Sequence, residues 1–134
     1  MGRFIVEADL DPDLVLCSSA RRAQETWSHV SDQWPSLPQI EVRDDLYHAS
    51  VQSLISILQE VPGTIDRVLM VGHNPTFEDL AMTLVGGGNA EGRRDMERKF
   101  PTAALAVIDF PHGHWSEIER HSGVLRDFVK PRSL

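Results

Sequence analysis

The sequence predicts an α/β fold of three layers, a mostly parallel sheet flanked by helices, and three observations carry that expectation. Short apolar runs recur at LVLC (14–17), VLMV (68–71) and ALAVIDF (104–110), the pattern of strands buried on both faces. The first two run directly into stretches with apolar residues every three or four positions, the pattern of an amphipathic helix. A polar, Trp-bearing stretch near the C-terminus suggests an antiparallel hairpin at the edge of the sheet.

Taken in order, residues 1–7 group Phe4, Ile5 and Val6 with no capping residue ahead of them, so they read as the end of an element rather than a beginning. A turn around Pro12 leads into the strand 14–17. Ser18 and Ser19 are placed to cap a helix whose face is formed by Ala23, Trp27, Val30 and Trp34, and which Pro35 stops. Ile40 and Val42 alternate with polar residues as in an edge strand. Ser50 caps a second helix with Val51, Leu54, Ile55, Leu58 and Val61 on one face, ended by Pro62 and Gly63. The strand 68–71 opens on Gly72, His73 and Asn74, and Pro75 suits the first position of a third helix bearing Phe77, Leu80, Ala81 and Leu84. Residues 86–99 are Gly-rich and then highly charged, and read as a surface excursion. ALAVIDF then pairs with HWSEIERHSG as a hairpin turning at 111–114, and VLRDFV closes the chain as a short helix.

A chain of 134 residues builds one core of ordinary size, so one domain is expected over 1–134. Thirteen Lys and Arg against twenty Asp and Glu leave a net charge of −7, which argues against nucleic acid or an anionic membrane surface as partner. A bound anion must therefore be gripped locally. The single Cys17 excludes an internal disulfide and fits a reducing compartment. With no leader-like N-terminus and no apolar run of about 18 residues, the expected location is cytoplasmic.

Two segments share one layout, an apolar strand ending in small residues and running into a helix: LVLCSSARRA and VLMVGHNPT. Ligands of such sheets bind at the carboxyl ends of the strands. The first segment brings Ser18, Ser19, Arg21 and Arg22 there, the second Gly72, His73 and Asn74 with their backbone N–H groups. Arginine matches phosphate oxygens with a fork of donors, helix N-termini favour anions, and histidine can donate a hydrogen bond or a proton. The bland alternatives are an Arg22 paired with an acid on its own helix and a His73 satisfying a local backbone group.

SSARRAQET resembles the Ser-x-x-x-Arg-Ala-x-x-Thr element of the histidine phosphatase superfamily, and VGHNP resembles the second histidine motif of its SixA-type phosphohistidine phosphatase branch. Further similarity runs through DDLYHAS, KFPTAALAVIDF and the closing Trp115, Leu125, Phe128, Pro131 and Arg132. The resemblance implies a phosphoglycerate mutase-like fold and a phosphatase working through a phosphohistidine intermediate, with no metal and no cofactor. It implies Arg22 as a phosphate clamp, His73 as the histidine that stabilises the transferring phosphoryl group, and Asn74 as a backbone N–H donor. Ser19 joins them as a substrate-binding candidate, and Arg21 is expected at the rim. His48 lies where relatives outside this branch carry a glutamate acid; it is either a proton-transferring, substrate-facing group or a surface residue. His29, His112 and His114 are expected on the surface, and no metal-ligand grouping is visible.

Members of the superfamily begin with a strand ending in Arg-His-Gly, whose histidine attacks phosphorus. That tripeptide does not occur here; Arg120 and His121 are followed by Ser122. Residues 1–19 align with the end of the first family helix and the second strand, as though some forty residues were cut away upstream, roughly a βα unit with its loop. The expectation is a domain lacking its first strand and inactive as this chain. That strand is expected between the 14–17 and 68–71 strands, so its loss leaves open edges, lets the two close on each other, or calls in a partner chain. Expected partners are phosphate, a phosphorylated small molecule or a phosphohistidine protein, with oligomeric state open. The competing functional reading is a non-catalytic phosphate- or phosphoprotein-binding module.

Overall fold

The computed structural model describes residues 1–111 and 113–131. Backbone contacts gather into two compact units, Met1–Ala49 with Gly63–His73, and Ser50–Pro62 with the chain from Asn74 onward.

The first unit contains α1 (Gly2–Glu7), β1 (Leu14–Ser18), α2 (Arg21–Ser31), β2 (Gln39–Arg43), a 3-10 turn at Asp44–Leu46, and β3 (Val68–Val71). Its sheet is all parallel in the order β2-β1-β3. As the central strand β1 is buried at every position, which is why its run carries no polar residue before Ser18. Val15 and Cys17 point to one face and pack with Ala23 of α2 and Val71 of β3. Leu14 and Leu16 alternate to the other face and are equally buried. The Asp13 carboxylate accepts the Asp66 and Arg67 N–H groups at 2.9 and 3.0 Å. It thereby ties together the amino ends of β1 and β3.

Several expectations change here. Residues 2–7 form a helix despite the missing cap, because tertiary packing holds it: Ile5 is buried, and Trp34 Nε1 donates to the Gly2 carbonyl at 3.1 Å. Gly2 is required at this contact, since a Cβ there would sit 1.8 Å from the Val30 carbonyl oxygen. Neither serine caps α2; Ser18 Oγ instead accepts the Ala20 N–H at 3.2 Å. Val68, Leu69 and Met70 are half-buried rather than buried, because β3 lies at the edge of its sheet. No place exists for a further strand between β1 and β3, which pair directly from Leu14↔Val68 to Cys17↔Val71. Unbroken pairing satisfies the facing backbone groups of both strands.

The second unit contains α3 (Val51–Gln59), α4 (Thr76–Leu84), β4 (Val85–Gly88), α5 (Ala90–Arg98), β5 (Leu105–Asp109), a 3-10 turn at Trp115–Glu117, and β6 (Gly123–Val129). Ser50 caps α3 as expected, its Oγ accepting the Ser53 N–H at 3.1 Å. Pro75 takes the N-cap position of α4 rather than the first helical one. The sheet runs β4-β6-β5, with β6 parallel to β4 and antiparallel to β5. Ala81, Val85, Met96, Leu125 and Phe128 form its core.

Here the sequence misleads twice. VLRDFV is a strand, not a helix, and it replaces HWSEIERHSG as the partner of β5. A bulge explains the error: Asp127 pairs with Val107 and Leu125 with Ile108, so Arg126 is the extra residue. The bulge turns Leu125 and Phe128 to the same core at a spacing of three, which imitates a helical period. Residues 86–99 are likewise no excursion but β4 and α5, with Met96 buried and Asn89 capping α5 by accepting the Gly92 N–H at 2.9 Å. Gly86 and Gly88 serve close backbone approach. Gly88 has φ +105°, and a Cβ there would lie 2.3 Å from the Leu125 carbonyl oxygen.

Candidate functional site

Since all three strands of the first sheet are parallel, their carboxyl ends lie at one end of it, and each opens there on a turn with chemistry-bearing residues. β1 leads through Ser19 to Arg22, β2 leads through the 3-10 turn to Tyr47 and His48, and β3 leads to His73. Ser19 N–H donates to the Arg43 carbonyl at 3.1 Å, which fastens the first turn to the second.

Three arginines stand near this end, and their partners separate them. Arg43 is held by Asp45, with Nε to Oδ1 at 2.9 Å and Nη2 bonded to Oδ2, and it also faces Glu41. The Arg43 hydrogen bond holds the Asp45 carboxyl below its usual range. Arg21 pairs with Glu25 one turn along α2, at 3.0 Å. Arg22 is exposed, and among the described residues its guanidinium has no acid and no hydrogen-bond acceptor. The helix-internal ion pair considered for Arg22 thus belongs to its neighbour. α2 nevertheless holds the Arg22 backbone firmly: Ala23 is buried against β1, and Thr26 Oγ1 donates to the Arg22 carbonyl at 3.0 Å.

His73 is exposed, and its described contact is with the Tyr47 ring, at 6.0 Å between centroids and an interplanar angle of 65°. Tyr47 in turn lies 4.4 Å from the His48 ring. His48 and His73 therefore flank one phenol ring. Both histidines are exposed. Tyr47 is the residue the sequence reading passed over; the available signal was an aromatic residue in a polar loop directly after Leu46, which is buried. Asn74 follows His73 in the chain and begins the second unit, where its side-chain amide donates to the Phe100 carbonyl at 3.0 Å. His29 and His114 are exposed, whereas His112 and Arg132 lie outside the described residues. Among the described residues no three His, Cys, Asp or Glu side chains gather to hold a metal, and no helix is long and apolar enough to cross a membrane.

Solved structures define the class. The chain superposes with a TM-score of 0.83 and 24% identity on a protein assigned as phosphohistidine phosphatase SixA of Nakamurella multipartitia, over 97% of this chain and 77% of that one. A protein with the same assignment from Agrobacterium tumefaciens matches at 0.77 and 25% identity, over 97% and 75%. The protein histidine phosphatase SixA complexed with tungstate matches at 0.74 and 21%, over 98% and 77%. The fold is the mixed α/β, phosphoglycerate mutase-like fold of SixA.

No family model matches the sequence. Among curated proteins, Rv1276c of Mycobacterium tuberculosis strain H37Rv is 34% identical over 122 residues, covering 90% of this chain and 74% of that protein. ML1117 of Mycobacterium leprae is 33% identical over 119 residues, covering 88% and 71%. The chain belongs to one family with these mycobacterial proteins, and in structure it is similar to the SixA phosphohistidine phosphatases of the histidine phosphatase superfamily.

Proposed function

We propose that these 134 residues, which contain no Arg-His-Gly tripeptide, form a single histidine phosphatase-like domain of a cytoplasmic phosphohistidine phosphatase-like hydrolase, and that they grip a phosphoryl group without turning it over. The observation that carries the reading is the guanidinium of Arg22, without an ion-pair partner among the described residues, at the carboxyl end of a parallel sheet and beside an Arg21 already paired with Glu25. A cation left without an acid beside a matched one suits an oxyanion, and the tungstate held by a SixA of the same fold is such an anion.

In this reading Arg22 clamps the phosphoryl oxygens and His73 stabilises the charge that develops on them. Ser19 and His48 complete the contacts to substrate. The substrate is a phosphorylated small molecule or a phosphohistidine protein. Turnover requires an attacking histidine nitrogen in line with the leaving group, and positioning around an empty place cannot supply it.

The test is titration of the purified chain with tungstate and phosphate, alongside hydrolysis of p-nitrophenyl phosphate and of a phosphohistidine peptide. Saturable anion binding without hydrolysis is expected. Hydrolysis by this chain, abolished in His73→Ala, would overturn the claim that the nucleophile is indispensable, and no binding at all would overturn the site.

A further inference from the structure

We propose that Tyr47 is a positioning residue for His73, an inference that rests on the reading of His73 as the phosphoryl-stabilising histidine. His73 needs a fixed imidazole to aim a donor at an anion, because an oriented donor acts without reorganisation whereas a freely rotating one must first be ordered. Its backbone supplies little restraint, as β3 ends at Val71 and the His73 side chain is exposed. The Tyr47 ring supplies the restraint instead: it meets His73 edge-on at 6.0 Å and carries His48 on it at 4.4 Å.

The turn that carries Tyr47 is itself anchored at several points. Leu46 is 1% exposed, Tyr47 N–H donates to the Asp44 carbonyl at 3.0 Å, and Arg43 binds both carboxylate oxygens of Asp45. Tyr47 by contrast is 43% exposed, far more than packing of an aromatic residue would demand. An exposed ring on a rigid turn, in contact with the histidine of the neighbouring strand, has the position of a support. Because the ring itself makes the contact, phenylalanine serves equally well, and because Tyr47 is so exposed, its removal leaves the fold intact.

The experiment is a double-mutant cycle on tungstate affinity, with Tyr47→Ala and Tyr47→Phe each made with His73 present and with His73→Ala, together with NMR of the His73 side chain. Tyr47→Ala is expected to weaken binding about three- to tenfold when His73 is present and not at all when it is absent, with Tyr47→Phe behaving as the parent. Three-bond couplings should report one His73 χ1 rotamer in the parent and in Tyr47→Phe, and an average in Tyr47→Ala. Equal loss in both His73 backgrounds, or a His73 rotamer unchanged by Tyr47→Ala, overturns the proposal. Should the parent bind no tungstate, the anion-site reading fails while the NMR comparison still decides whether Tyr47 positions His73.

Discussion

Replacing Arg22 by alanine is expected to weaken tungstate binding by about ten- to thirtyfold while leaving the thermal midpoint unchanged. A hydrogen bond to a charged group contributes about 1.5–3 kcal/mol, a factor of roughly 10 to 150 in affinity. The lower part of that range applies because Arg22 is exposed before binding, so solvent screens the contact and the guanidinium loses hydration when it engages. Stability should not change, since among the described residues the side chain has no partner to lose. Arg21→Ala is the matched control. Its side chain is 93% exposed and its i,i+4 pair with Glu25 at 3.0 Å is of the kind worth about 0.3–0.5 kcal/mol to stability, with little effect on the anion. Arg22→Lys keeps the charge but loses the fork, and should fall between the parent and Arg22→Ala. Isothermal titration of the four proteins at fixed ionic strength measures this order. Equal losses for Arg21→Ala and Arg22→Ala would refute the argument, because a diffuse positive field rather than one unpaired guanidinium would then hold the anion.

Leu16→Ala, at a position 1% exposed on the central strand, should cost about 2–5 kcal/mol in urea unfolding, whereas Leu37→Ala, 62% exposed, should stay within about 0.5 kcal/mol. Gly88→Ala should lower the thermal midpoint by an amount corresponding to about 1–3 kcal/mol, since alanine at φ +105° also meets the Leu125 carbonyl; Gly63→Ala, where a Cβ meets nothing within 4 Å, is the neutral control. Burial pushes the Cys17 thiol above its ordinary value, so it should resist thiol reagents until the protein unfolds. The sign of the linked stability follows from the same shift: the contribution is whole below the ordinary thiol value and lost as pH rises through the raised one. Urea midpoints of the parent and Cys17→Ser should therefore draw closer on the alkaline side.

Strand existence was legible where the apolar run is continuous, and the two segments bearing Arg22 and His73 were legible because an apolar run ending in small polar residues is a clear local signal. The superfamily resemblance added the roles proposed for those two residues. Elsewhere local pattern was overridden. The bulge at Arg126 gave a strand the spacing of a helix, and the Gly-rich stretch looked like a loop because the reason for Gly86 and Gly88 is a neighbouring backbone. The helix at 2–7 was hidden since packing, and not a cap, holds it.

Residue order by itself determined the α/β class, the placement of Ser19, Arg22, His48 and His73 after strands or in the loop beyond one, and the absence of an Arg-His-Gly tripeptide from these 134 residues. Only the tertiary structure decided that Arg21 rather than Arg22 pairs with Glu25, that β1 and β3 close directly on each other, and that the Tyr47 ring contacts both His48 and His73. The division has one physical reason. Burial and helical period are properties of neighbours along the chain, whereas ion pairing, strand register and ring contact depend on residues far apart in sequence, which only folding brings together.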